Sequence, residues 1–176
     1  YRGTWTQGIQ QIPKNTMIVY FTIIAAFALF FAHYCAWDDF TQIGKDERIV
    51  HVKQWLIRAA ISVAAIVIIS GVGEVLTLRM FGLMSVAVAF LFSAWFRYRL
   101  NKLRGLDWHY ISGSNWYDMF FLWVGEDFIK QPDIFKAQDA WAKWDRSTEK
   151  LGGKIAYATE IILTLAAFTV AAILGS

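Results

Sequence analysis

The residues from Thr16 to Trp37 run without a formal charge, and this constrains the fold more than any other feature. A helix crossing the bilayer needs roughly 20 mainly apolar residues, because the hydrocarbon layer is about 30 Å thick and each helical residue rises about 1.5 Å. The chain repeats the pattern three more times. Trp55 to Gly73 carries only Arg58, near its start, where a long side chain can snorkel to the headgroups. Met80 to Phe96 has no charge and is bounded by Arg79 and Arg97, and Ile155 to Gly175 is interrupted once, by Glu160. The expected fold is an all-α polytopic integral membrane protein with spans at about 16–37, 55–73, 80–96 and 155–175, in one membrane domain. Its composition agrees, since 57% of the 176 residues are hydrophobic and 18% charged, against roughly 45–50% and 25% in soluble domains.

Charge sets the expected orientation. Of the 17 Lys and Arg, only Arg2, Lys14 and Arg79 fall on the side that holds both termini and the turn between the second and third spans. The rest lie in the loop from Asp38 to Gln54, at Arg58, or in the long loop 97–154. The positive-inside rule therefore puts both large loops in the cytoplasm and both termini outside, in a bacterial inner membrane or its equivalent. The net charge of +3 is spread among interleaved acids, so nucleic acid is not an expected partner. The single cysteine, Cys35, excludes an internal disulfide or an all-cysteine metal site.

Helices associate in lipid through small residues that let backbones approach. Stripes at four-residue spacing occur at Ala28, Ala32 and Ala36; Ala60 and Ala64; Ser85, Ala89 and Ser93; and Ala167 and Ala171, with the serine stripe the expected helix interface. The short connection Glu74 to Arg79 makes the second and third spans expected antiparallel neighbours. Asp38 and Asp39, after Trp37, are placed to cap a following helix, and Gly152-Gly153 to turn the chain into the last span.

The long loop is unusually aromatic. Five of the nine tryptophans lie there: Trp108, Trp116, Trp123, Trp141 and Trp144. Gly105 permits a break after the third helix, and the apolar run Met119 to Val124 is too short to span. It is expected at the interface, against the bundle or against a partner. After Pro132-Asp133, the residues Ile134, Ala137, Trp141, Trp144, Thr148 and Leu151 recur at helical spacing. They predict an amphipathic helix that lies in the membrane interface or docks on a neighbouring subunit.

Ionisable groups inside spans are functional candidates, because burying them is costly. Glu160 is one, expected to pair with Arg58 or Lys154. Glu74 and Arg79 bracket the outer hairpin, and with Glu160 they are the candidate polar residues of a conduit. His33, near Cys35, is the candidate cofactor ligand, for haem or a pigment. No metal-ligand spacing is found, nor any zinc-protease, nucleophile-elbow, phosphate-loop or paired-cysteine motif, so no catalytic residue is assigned and an enzyme is not the expected class.

From Phe96 to Phe120 the chain reads FRYRLNKLRGLDWHYISGSNWYDMF. Asn101, Arg104, Gly105, Trp108, Tyr110, Asp118 and Phe120 follow a pattern that resembles one in uncharacterised small membrane proteins of Bacteroidota and their bacteriophages. The resemblance covers about 25 residues, implies no activity, and adds weight to a bacterial or phage source and to a virion membrane component. The residues themselves lead to a structural or accessory subunit of a larger membrane assembly, with other membrane subunits and lipids as partners; the alternative is an oligomeric conduit for ions or small solutes.

Overall fold

The computed structural model describes residues 14–45, 51–72, 77–111, 116–129 and 146–174. They form five helices, α1 (Lys14–Gly44), α2 (His51–Val72), α3 (Leu78–Leu103), α4 (Trp116–Ile129) and α5 (Arg146–Leu174), with no strand among the described residues. Met17–Gly44, Lys53–Gly71, Leu78–Leu103 and Lys150–Leu174 are long and apolar enough to cross a membrane. The chain is thus an all-α polytopic integral membrane protein. Glu74, Trp141, Trp144 and most of the expected amphipathic helix lie outside the described residues, as does the side chain of Trp116.

The helices outrun their apolar stretches where polar side chains find partners from helical positions. Asp38 and Asp39 do not cap a new helix, and α1 continues through them to Gly44. Gln42 Nε2 donates to Asp38 Oδ2 at 2.9 Å one turn on, and Asp39 is taken up by Arg58 of α2. The ends of α3 are defined by local chemistry. Thr77 Oγ1 accepts from the Met80 amide, and Gly105, at φ 70°, closes the other end. There the amides of Gly105 and Leu106 donate to the carbonyls of Lys102 and Asn101, the paired reverse turn that a left-handed residue permits after a helix.

Helix α3 is central, packed most extensively against α1 and α5, while α4 lies on α5. The α2–α3 hairpin is antiparallel, with Ser70 Oγ reaching Met84 Sδ at 3.5 Å, but α2 rests only lightly on α1 and α3. Small residues explain the difference. Ala28, Ala32 and Ala36 are fully buried, and Ala167 and Ala171 nearly so, whereas Ala60 and Ala64 are exposed. The serine stripe is packed only in part: Ala89 is exposed, while Ser85 and Ser93 are half-buried and Ser93 donates from Oγ to Glu160 of α5. The apolar packing of α3 against α1 comes from the adjoining face, where Met80, Met84 and Val88 are buried.

Two apolar clusters result. One, at the end where α1 and α3 begin, joins Met17, Ile24, Ala28, Ile66, Met80, Met84, Val88 and Ala171. The other joins Ile111, Phe121, Leu122 and Ala156 beneath α4. Gly152 and Gly153 make no turn; both are buried helical residues of α5, Gly152 against this second cluster and Gly153 against His109. A Cβ on Gly152 would lie 2.7 Å from the Phe121 carbonyl oxygen, and one on Gly153 would overlap the His109 carbonyl. Here glycine serves close approach of backbones.

Candidate functional site

The end of the bundle where α3 finishes and α5 begins holds a buried charge cluster. Glu160 lies about 15 Å along α5 from Lys150 and is 0% exposed. Its Oε1 accepts from Ser93 Oγ at 2.7 Å and from Arg97 Nη2 at 3.1 Å, both on α3. Arg97 also reaches Asp118 Oδ1 of α4 at 3.9 Å and lies over the ring of Tyr157, 5.5 Å from its centroid. One cation therefore faces two carboxylates and an aromatic ring, on three helices. Thr164 donates to the Glu160 carbonyl at 2.8 Å, and the edge-on ring of Trp108 meets Tyr157 at 5.2 Å.

The segment after α3 is tied across this cluster. Asn101, 3% exposed, donates from Nδ2 to the carbonyls of Trp108 and Tyr110 at 3.3 and 2.8 Å. This folds residues 105–111 over the start of α5 and seats His109 on Gly153. A neighbouring pair fastens α1 to α2. Arg58 donates to both Asp39 oxygens, one at 3.2 Å, and stacks 5.0 Å from the Phe96 ring of α3. Arg58 was expected to snorkel to the headgroups. With only 14% of its side chain exposed, it turns inward to the carboxylate that offers two acceptors.

Several expected site residues are separated. Glu160 pairs with Arg97 and not with Arg58 or Lys154. Arg79 is exposed at the start of α3, about 27 Å along the helix from Arg97, so it does not join Glu160. His33 is exposed on α1, and no group of three His, Cys, Asp or Glu able to hold a metal occurs among the described residues. Trp108 and Trp123 are partly exposed, at 41% and 38%. No motif marks Arg97, Asp118 and Tyr157 as site residues; the signal that the sequence carries is that Ser93, Arg97 and Asn101 continue the four-residue stripe of Ser85 and Ala89 as polar groups.

Chemically, the cluster holds fixed charge across a helix junction. Charges removed from water are costly unless they are paired and hydrogen-bonded, so the pairing specifies how α3, α4 and α5 register. His109, outside the spans, adds a pH dependence. Burial holds its pKa below the ordinary 6.5; the positive charge of Lys150 and Lys154 acts in the same direction, while Asp107 opposes it. The folded state thus binds fewer protons than the unfolded chain between the two pKa values. Stability is expected to be complete above about pH 6.5, to fall as the pH drops through the window below it, and to level off beneath the folded pKa. Thermal melts between pH 8 and 4.5 check this, and His109→Gln should flatten the decline.

No family model, curated protein or solved structure matches the chain.

Proposed function

We propose that the protein is a structural or accessory subunit of a larger membrane assembly, and that α4 carries the contact. The observation that supports this reading is the two-sidedness of α4. Phe121 and Leu122 are buried against α5, while Met119, Phe120 and Trp123 are 38%, 50% and 38% exposed on a helix of 14 residues, too short for a membrane span. An exposed aromatic surface of this kind marks an interaction site. It is held rigidly, because Gly152 of α5 brings the α4 backbone into contact and Asp118 reaches Arg97. Pairing of Glu160 with Arg97 favours this reading over an oligomeric conduit, whose carboxylate would face a water-filled path. By the positive-inside rule the charged end faces the cytoplasm and both termini face out.

A photo-cross-linking side chain at Phe120 or Trp123, in native membranes, is expected to give discrete protein adducts of defined mass. The same group at Phe30, 75% exposed on α1, should give lipid adducts alone. Phe120→Glu should release the co-purifying partner in mild detergent while the protein stays folded. A stable monomer with no co-purifying protein and no protein adducts would overturn the proposal.

A further inference from the structure

The structure assigns a second binding surface, distinct from α4, to an anionic phospholipid headgroup: the basic collar formed where the end of α3 meets the start of α5. Arg99, Lys102 and Arg104 occupy the last turns of α3 and its cap, and Lys150 and Lys154 the first turns of α5. In sequence the two groups are about 50 residues apart. Antiparallel packing of α3 on α5 and the 105–111 segment tied over α5 bring them to one end of the bundle.

Three properties point to a phosphate at a membrane surface. Lys102, Arg104, Lys150 and Lys154 are exposed, and against the five basic residues stand two acids, Glu149 in the first turn of α5 and Asp107, whose side chain is 82% exposed and 3.9 Å from His109 Nε2. Positive charge therefore outweighs negative at the collar. Trp108, 41% exposed in the same segment, is an amphipathic ring suited to the headgroup level. The collar also sits at the ends of two helices that cross the membrane, which is the depth of lipid phosphates. Phosphate oxygens accept from lysine and arginine more strongly than neutral acceptors do, and anionic headgroups add attraction that zwitterionic ones lack.

Purified protein in nanodiscs of phosphatidylcholine, with increasing phosphatidylglycerol, provides the test. Phosphatidylglycerol is expected to raise the melting temperature by roughly 4–8 °C, as a ligand bound to the folded state alone would. The combined variant Lys102→Gln, Arg104→Gln, Lys150→Gln and Lys154→Gln should melt close to the native protein in pure phosphatidylcholine and lose most of that rise. Glutamine is tolerated at these exposed positions, so a folded variant is expected; if it does not fold, the single variants Lys102→Gln and Lys150→Gln should each reduce the rise. An equal rise in native and substituted proteins would overturn the assignment, as would an equal rise with inorganic phosphate in place of the anionic lipid.

Discussion

Arg97→Met is expected to lower stability by about 3–5 kcal/mol, the usual cost of removing one partner of a buried ion pair. For a chain of this size that is a fall in melting temperature of roughly 6–20 °C. Arg97 is the cation that Glu160 and Asp118 both reach, and methionine leaves two carboxylates facing one apolar side chain. The effects should be unequal across the cluster. Glu160→Gln retains an acceptor for Ser93 and leaves Asp118 to balance Arg97, so it should cost clearly less. Asp118→Asn, at 3.9 Å from Arg97, should cost least. The double variant Arg97→Met with Glu160→Leu exchanges the pair for apolar groups and should recover most of the loss, because well-packed apolar replacements of buried pairs are commonly neutral or stabilising. Thermal melts of the four proteins in one detergent decide the order. If Arg97→Met melts within 2 °C of the native protein, the pair does not hold the helices together.

The spans are legible in the sequence because lipid imposes a local rule: every backbone group must be satisfied within the segment, and charges must stay out. A run such as Thr16 to Trp37 states that rule without reference to any other part of the chain. Gly105 is legible for a similar reason, as a residue free to adopt positive φ at a helix end. The charge cluster is not local. Arg97 and Glu160 are separated by 63 residues, and each taken alone is a charge at the edge of an apolar run, equally suited to headgroups. Only the rotation of α3 and α5 about their axes turns them toward each other. That rotation depends on which small-residue face wins. The four alanine and serine stripes look alike in sequence, yet Ala28, Ala32 and Ala36 are fully buried while Ala60 and Ala64 are exposed. Arg58 follows the same logic, since snorkelling and pairing with Asp39 are both open to it until α1 and α2 are placed side by side.

Gly153→Ala is expected to be as damaging as losing the buried cation, although it adds one methyl group. In a helix interior, alanine is favoured over glycine by about 1 kcal/mol, so an unconstrained site would be stabilised. Gly82 is such a site: it is exposed, and a Cβ there would meet nothing within 4 Å. At Gly153 the added carbon would overlap the backbone carbonyl of His109, which cannot rotate away as a side chain would. The 105–111 segment has to lift, and Asn101 holds that segment through the carbonyls of Trp108 and Tyr110. Lifting it also exposes Ile111, 2% exposed in the fold and packed in the cluster beneath α4. Overpacking typically costs about 1–3 kcal/mol, and with the hydrogen bonds at risk the net loss should reach about 3 kcal/mol or more. Gly152→Ala, whose Cβ would sit 2.7 Å from the Phe121 carbonyl oxygen and 3.2 Å from Leu122 Cα, should fall between Gly153→Ala and Gly82→Ala. Proteolysis within 105–111 should be faster in Gly153→Ala than in the native protein and unchanged in Gly82→Ala. Equal melting temperatures for Gly153→Ala and Gly82→Ala would show that α5 does not press against the 105–111 backbone, and that the glycine pair has a role other than close packing.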